Sequence, residues 1–249
     1  MGALAQLFRT AGHEVSGSDT SFDPPIGPAL KAAGIACLEG YDAKNVGKPD
    51  LVVVGNAIRK DNVEAVAAMQ RGLPRSSMSA ALREQFLTKR KPLVVAGTHG
   101  KTTTATMCAV ILESAGFEPG WFIGGLPKNL PAGAAIGRAK RVLGSGGPNA
   151  PKVGPAPFVI EGDEYDAVYW HKQPKFFDYI GLGPDDVAII TSIEQDHIDI
   201  YPTAEGYRTA FVEFVKKIPA EGLLVAWAGD AEVREIARKA LTRGSVFVN

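Results

Sequence analysis

A two-domain α/β fold built on parallel sheets is predicted for this chain, and three observations predict it. Apolar runs short enough for buried strands alternate with helix-periodic segments along most of the sequence. The basic, proline-ended break Thr88-Lys89-Arg90-Lys91-Pro92 interrupts that alternation, which sets a boundary near residue 90 and domains of 1–90 and 91–249. Just past the break, a strand at 93–96 runs into the turn Gly97-Thr98-His99-Gly100-Lys101-Thr102-Thr103 and then into a helix. The first half reads as Rossmann-like, and the second as a phosphate-loop-type central ATPase domain on a parallel sheet.

Residues 1–11 read as a helix closed by Gly12, followed by a strand at 13–16 that ends in Ser18-Asp19. A parallel α/β unit ordinarily opens on a buried strand that feeds its first helix, so a strand is expected before Met1. The turn Asp23-Pro24-Pro25 leads to a helix at 27–33 and strands at 35–38 and 51–54. A helix at 62–71 and an amphipathic segment at 79–86 complete the first half. In the second half, helices are expected at 101–115, 204–217 and 231–241, with strands at 158–160, 187–191, 223–227 and 245–248. Residues 141–157 are dense in Gly and Pro and read as a mobile surface loop.

With 45% hydrophobic residues over 249 positions, the chain can fill one large core or two modest ones. Lys plus Arg and Asp plus Glu both count 27, so no net field favours nucleic acid or an anionic membrane surface as a partner. Charge-based chemistry must be local. Cys37 and Cys108 are too few for a disulfide framework or a thiolate cluster, and both read as small buried hydrophobes. No basic leader and no long apolar run is present, which predicts a cytoplasmic location, where ATP is available.

The glycine-rich turn carries every part of a triphosphate cradle. Its glycines let backbone amides face a phosphate, the following helix adds its dipole, Lys101 adds charge, and the Thr102 hydroxyl suits Mg²⁺. Val95 stands where the longer form of this motif has its first Gly, so the loop is short. His99 reads as structural. The acids of Glu161-Gly162-Asp163-Glu164-Tyr165-Asp166 are released at the end of strand 158–160, the edge where ligands of parallel sheets bind and where a carboxylate can complete a Mg²⁺ oxygen shell. A third strand ends in Ser192-Ile193-Glu194-Gln195-Asp196-His197-Ile198-Asp199. Taken alone, His197 reads as a surface histidine, because Mg²⁺ prefers oxygen. Asp19 and Asn56 follow strands of the first half, in positions suited to a nucleotide's sugar or base and equally to a capped turn. His171, Lys172 and Lys175 either face an anionic substrate or form a solvated basic turn.

In this order, GTHGKTTT, EGDEYD and SIEQDHIDIY resemble the motifs of the Mur ligases, which build peptidoglycan precursors by adding amino acids or peptides to UDP-N-acetylmuramate. The resemblance covers nearly the whole chain. The segments GHEVSGSD, LVVVGNA, IGG and EGDEYD, with Lys175-Phe176, are most similar to the branch that adds the recovered tripeptide L-alanyl-γ-D-glutamyl-meso-diaminopimelate. Tyr165 stands where the L-alanine-adding branch usually has Ser.

The resemblance implies an ATP-dependent C–N ligase of peptidoglycan recycling, acting through an acyl phosphate of the muramoyl carboxylate. The alternatives are the L-alanine-adding enzyme and a nucleotide-binding fragment without turnover. By the same resemblance, the backbone of Gly97, Thr98, His99, Gly100, Lys101, Thr102 and Thr103 holds the ATP phosphates. Lys101 and His197 act in catalysis; Thr102, Glu161 and His197 hold magnesium; Asp19 and Asn56 lie near the uridine. Relatives often carry a modified Lys downstream of the histidine, and Val212 lies near that point here. The resemblance also implies a first strand and a glycine-rich turn before Met1 and a third domain after Asn249. The 249-residue chain alone is therefore expected not to turn over.

Overall fold

The computed structural model describes residues 1–138, 141–143, 151–153 and 156–248. The chain forms two compact units, Met1–Leu82 with Asp166–Gln173, and Arg83–Tyr165 with Pro174–Asn249.

The first unit opens on α1 (Gly2–Thr10), which buries Leu4 and Leu7 one turn apart and exposes Arg9 and Thr10. Next come β1 (Ser16–Asp19), α2 (Ile26–Ala32) and β2 (Ala36–Glu39), with β1 parallel to β2 from Ser16↔Ala36 to Asp19↔Glu39. The strand expected at 13–16 thus lies three residues later. The backbone N–H of His13 still donates to Phe8 O at 3.1 Å and the His13 ring packs edge-on to Phe8, so this residue belongs to the helix exit. β3 (Val52–Val54), α3 (Val63–Gln70) and β4 (Arg75–Ser77) form a second parallel pair, β3 with β4. The Asn62 side chain caps α3 by accepting from Glu64 N and Ala65 N at 2.9 and 3.2 Å. The segment expected to be one amphipathic stretch at 79–86 is α4 (Met78–Leu82) followed by a wider π-turn at Arg83–Leu87.

In the second unit β5 (Lys91–Ala96) leads through the glycine turn into α5 (Lys101–Ser114), then β6 (Gly120–Phe122) and β7 (Ala134–Ala135). Where a loop is expected at 141–157, β8 (Arg141–Leu143) and β9 (Pro151–Val153) pair antiparallel, and β10 (Pro157–Glu161) begins at once. Residues 144–150, 154 and 155 of that expected loop lie outside the described residues. The chain then supplies the first unit with the paired strands β11 (Asp166–Val168) and β12 (His171–Pro174). It returns as β13 (Val187–Ile190), α6 (Ala204–Lys216), β14 (Leu223–Trp227), α7 (Ala231–Ala237) and β15 (Gly244–Val248). α7 stops short of the expected 241 because Lys239 and Ala240 tighten into three-residue turns onto Ile236 and Ala237.

Among the described residues one seven-stranded sheet results, ordered β15-β14-β13-β5-β10-β6-β7, parallel except for β7 against β6. Val94, Val95, Phe158, Val159 and Ile160 are fully covered, as expected of central strands carrying helices on both faces. α5 reaches the sheet through Ala105 and Ala109, whose small side chains let it lie close to Val95, Val159, Trp121 and Ile123. A separate aromatic layer joins Phe176 to Phe211 and Phe214 of α6, with ring centroids 5.5 and 4.6 Å apart. Cys37 and Cys108 are half-buried free thiols.

Emptying the aromatic layer should cost far more than trimming the outer face of α5. Phe214→Ala is expected to destabilise by about 3–5 kcal/mol, and the exposed Met107→Ala by no more than about 0.5 kcal/mol, in urea unfolding.

Candidate functional site

The carboxyl ends of β5, β10 and β13 lie side by side: Glu161 is in register with Val95, and Ile190 with Ala96. At that edge a parallel sheet exposes three successive loops to one ligand. Gly97 and Gly100 have φ of +133° and +79°, values side-chain-bearing residues rarely adopt. A Cβ on Gly97 would also run into the Thr191 hydroxyl and the Ser192 backbone, so glycine is required there twice over.

The loop is tied to the segment leaving β13. Thr98 N donates to Ser192 O at 2.8 Å, His99 N to Ser192 Oγ at 3.0 Å, and Thr191 Oγ1 to His99 O at 2.6 Å. The Thr98 hydroxyl accepts from Glu194 N at 2.9 Å and lies 3.0 Å from the Tyr207 hydroxyl of α6. The His99 side chain is exposed, with Nε2 3.6 Å from Glu194 Oε2, while its backbone anchors the turn. Beside the loop lies a cavity of about 430 Å³, lined by His99, Gly100, Thr104, Thr191, Val225 and Trp227 among others.

Lys101 folds back across the loop. Its Nζ donates to Gly97 O at 2.6 Å, Thr98 O at 3.2 Å and Glu164 Oε1 at 3.1 Å. One turn of sheet edge away, Thr102 Oγ1 donates to Glu161 Oε1 at 2.8 Å, and Glu161 Oε2 accepts from Gly124 N at 2.8 Å. Thr103 is exposed on the first turn of α5.

His197 has φ of +54°, a left-handed value costly for a side-chain-bearing residue and often found where function constrains the backbone. Its Nε2 lies 3.3 Å from Glu164 Oε1 and 3.8 Å from Asp196 Oδ2, and its ring packs on Tyr165 at 4.3 Å. The contacts of this imidazole are thus with Glu164 and Asp196, whereas Thr102 and Glu161 meet each other directly. Among the described residues, no group of three or more His, Cys, Asp or Glu stands at metal-holding spacing. Thr102 and Glu161 are nonetheless hard oxygen donors side by side at a helix N-terminus, a donor set that fits Mg²⁺.

Glu164, not singled out from the sequence, is the hub of this edge. Only 1% exposed, it accepts from Lys101 and the Tyr207 hydroxyl (3.0 Å) on one oxygen, which also lies 3.3 Å from His197 Nε2, and its backbone O accepts from Tyr201 at 2.7 Å. Burial first, and then the charge of Glu164, push the Tyr207 phenol above its ordinary value against a lowering bond from Thr98. Lys175, expected either to face an anionic substrate or to lie on a solvated basic turn, is buried and paired with Asp163 at 2.9 Å. His171 and Lys172 are exposed on β12 in the first unit. Asp230 serves two segments: Oδ1 caps α7 by accepting from Glu232 N and Val233 N, and Oδ2 accepts from Ile193 N at 3.0 Å. In the first unit, Asp19 ends β1 and accepts from Thr20 N at 2.7 Å, and Asn56 is exposed just after β3.

A parallel sheet whose central strand passes through a glycine turn into a helix, with acids at the end of the neighbouring strand, defines a phosphate-loop α/β protein. Comparison with known proteins narrows this. The descriptions "Mur ligase family, catalytic domain" and "Mur ligase middle domain" match residues 1–90 and 176–248. A solved UDP-N-acetylmuramate:L-alanyl-gamma-D-glutamyl-meso-diaminopimelate ligase from Neisseria meningitides is 36% identical with a TM-score of 0.85, the match covering 99% of this chain and 74% of that one. The chain belongs to the Mur ligase family. The corresponding Escherichia coli ligase is 36% identical over 94% of this chain and 47% of its own length. A UDP-N-acetylmuramate–L-alanine ligase from Arthrobacter is 37% identical over 100% of this chain and 47% of its own length. The chain spans about half the length of the curated relatives it matches. No helix among the described residues is long and apolar enough to cross a membrane.

The raised Tyr207 phenol fixes the sign of an alkaline effect. Unfolded tyrosine loses its proton near pH 10.0 while folded Tyr207 keeps it, so the folded state binds more protons and stability falls as pH rises past that point. Tyr179, also raised by burial, acts in the same direction. Between about pH 10 and 11, Tyr207→Phe should remove about 1 kcal/mol of the fall in unfolding free energy measured in urea.

Proposed function

We propose that this chain binds ATP and Mg²⁺ and serves an ATP-dependent ligase that joins the carboxylate of UDP-N-acetylmuramate to the amine of L-alanyl-γ-D-glutamyl-meso-diaminopimelate. The observation that carries the reading is the meeting of Lys101, Thr102 and Glu161 around one glycine turn at the carboxyl edge of the central sheet. In it, the backbone from Gly97 to Thr103 cradles the phosphates, and the nucleoside end faces the cavity of about 430 Å³, within the usual range for small-ligand sites.

Thr102 and Glu161 would hold the metal, and His197 of the loop after β13 is assigned to it as a further ligand. When bound, Mg²⁺ neutralises phosphate charge. Lys101 gives up one of its internal acceptors to the transferring phosphoryl group and stabilises the charge on it. The muramoyl carboxylate takes the γ-phosphoryl group as ADP leaves. The amine then attacks the acyl carbon through a tetrahedral intermediate, phosphate departs with its bonding pair, and the amine gives up a proton. The first unit, through Asp19 and Asn56, is assigned the uridine end of the substrate. The tripeptide is favoured as amine by Tyr165 and by the Neisseria and Escherichia coli relatives. L-alanine is the second reading, because an enzyme named for it is equally similar. ATP chemistry of this kind places the work in the cytoplasm.

Lys101→Ala is expected to weaken Mg·ATP binding at least about tenfold by calorimetry, the scale of losing one charge-assisted phosphate contact. Asp19→Ala should weaken UDP-N-acetylmuramate and leave ATP bound. If the chain binds ATP but no UDP-sugar, the ligase reading fails in favour of a different phosphate-loop enzyme. The amine is read from phosphate released by the intact protein when the tripeptide or L-alanine is offered.

A further inference from the structure

We infer that Glu164 is a positioning residue that governs two neighbours in opposite senses: it holds the Lys101 ammonium away from incoming phosphate, and it orients the His197 imidazole. This rests on the nucleotide reading above.

The ammonium of Lys101 has three hydrogens and three protein acceptors, Gly97 O, Thr98 O and Glu164 Oε1. A phosphate oxygen can therefore gain this lysine only by exchange. Two of the acceptors are neutral carbonyls of the loop itself, while Glu164 brings the charge and so makes the stronger competitor. Its side chain is 2% exposed, so water does little to weaken that competition. Bound phosphate and the Glu164 carboxylate would also repel each other across the same lysine.

Toward His197 the same oxygen acts as an anchor. The imidazole sits on a strained left-handed backbone, against Tyr165, with Nε2 3.3 Å from Glu164 Oε1. A carboxylate oxygen held 3.3 Å from a histidine nitrogen restrains how the ring can rotate, which matters wherever that ring serves a metal. Tyr207 and Tyr201 hold Glu164 in turn, one on its carboxylate and one on its backbone, so the carboxylate cannot follow the lysine outward. Exchange therefore moves Lys101 and leaves Glu164 with His197.

The test uses the full chain, with ADP in excess chelator for the phosphate arm and Mn²⁺ in the presence of saturating ADP for the metal arm. Glu164→Gln keeps shape and an acceptor for Tyr207 but loses the charge. Metal-free ADP is expected to bind about fivefold tighter, and Mn²⁺ about tenfold more weakly, by calorimetry and electron paramagnetic resonance. A damaged scaffold would lower both affinities together, so opposite movement is the signature. Glu164→Asp, which keeps the charge on a shorter arm, should move both constants in the same directions by smaller factors, and serves if the Gln variant does not fold. Wild-type protein that binds ADP, with variants whose two affinities fall together or do not move, overturns the inference alone. Wild-type protein that binds no ADP overturns the nucleotide reading and the inference with it.

Discussion

The site depends on the way the backbone leaving β5 stays bonded to the backbone leaving β13 after both have left the sheet. Thr191 N reaches Ala96 O at 3.1 Å, Thr98 N reaches Ser192 O, and the Thr191 and Ser192 hydroxyls take the His99 carbonyl and amide. These bonds extend the parallel ladder by a turn that has no strand geometry. They hold the glycine loop open over the N-terminus of α5, where its amides are available to an anion. Both glycines with left-handed φ follow from this: the chain must reverse within four residues while passing close to Thr191. Without that second strand tail, the loop backbone would be left with its own short-range bonds, and the Thr98 and Lys101 side chains would be left to reach distant segments.

Legibility of the fold followed the strength of local periodicity. The strands around Val94, Ile160 and Ile190 and the helices α5 and α6 were plain in the sequence, because a central strand covered on both faces reads as an unbroken apolar run. The short elements were not. Arg75-Ser76-Ser77 has no apolar side chain at all, and Gly120-Trp121-Phe122 follows Glu118-Pro119 and looks like a turn; only pairing with β3 and β10 makes strands of them. The β8–β9 ladder was hidden by the glycines and prolines around it. In α1 the end is legible to within a residue, while the next strand begins later than its pattern suggests because the strand-like run His13 to Val15 is spent on leaving the helix.

At the candidate site, consecutive residues were legible and converging ones were not. Gly97 to Thr103 can be read because strand, turn and helix lie in one stretch of chain. Glu161 follows from its place just after an apolar strand. Glu164 was only one acid in a run of four, and its partners Lys101, His197 and Tyr207 are 63, 33 and 43 positions away in sequence. No periodicity encodes such a meeting, although a tyrosine on the buried face of an amphipathic helix is a hint that some polar partner waits inside. Lys175 shows the converse: a basic residue that reads as facing a substrate or solvent lies buried against Asp163, because the closing bonds between Asp163, Tyr165, Lys175 and Phe176 bring the two chain segments together at that point.

Asp230 restricts what this sequence can become. Its two carboxylate oxygens face opposite ways, one completing the first turn of α7 and the other receiving the amide of Ile193 in the loop that carries His197. Asparagine would turn a donor toward one of those amides, serine would leave one of them without an acceptor, and glutamate would overreach the helix cap. Drift at this position is therefore confined by backbone bonds to two segments at once, and a lineage that lost the acid would have to rebuild the loop after β13 to keep the edge intact.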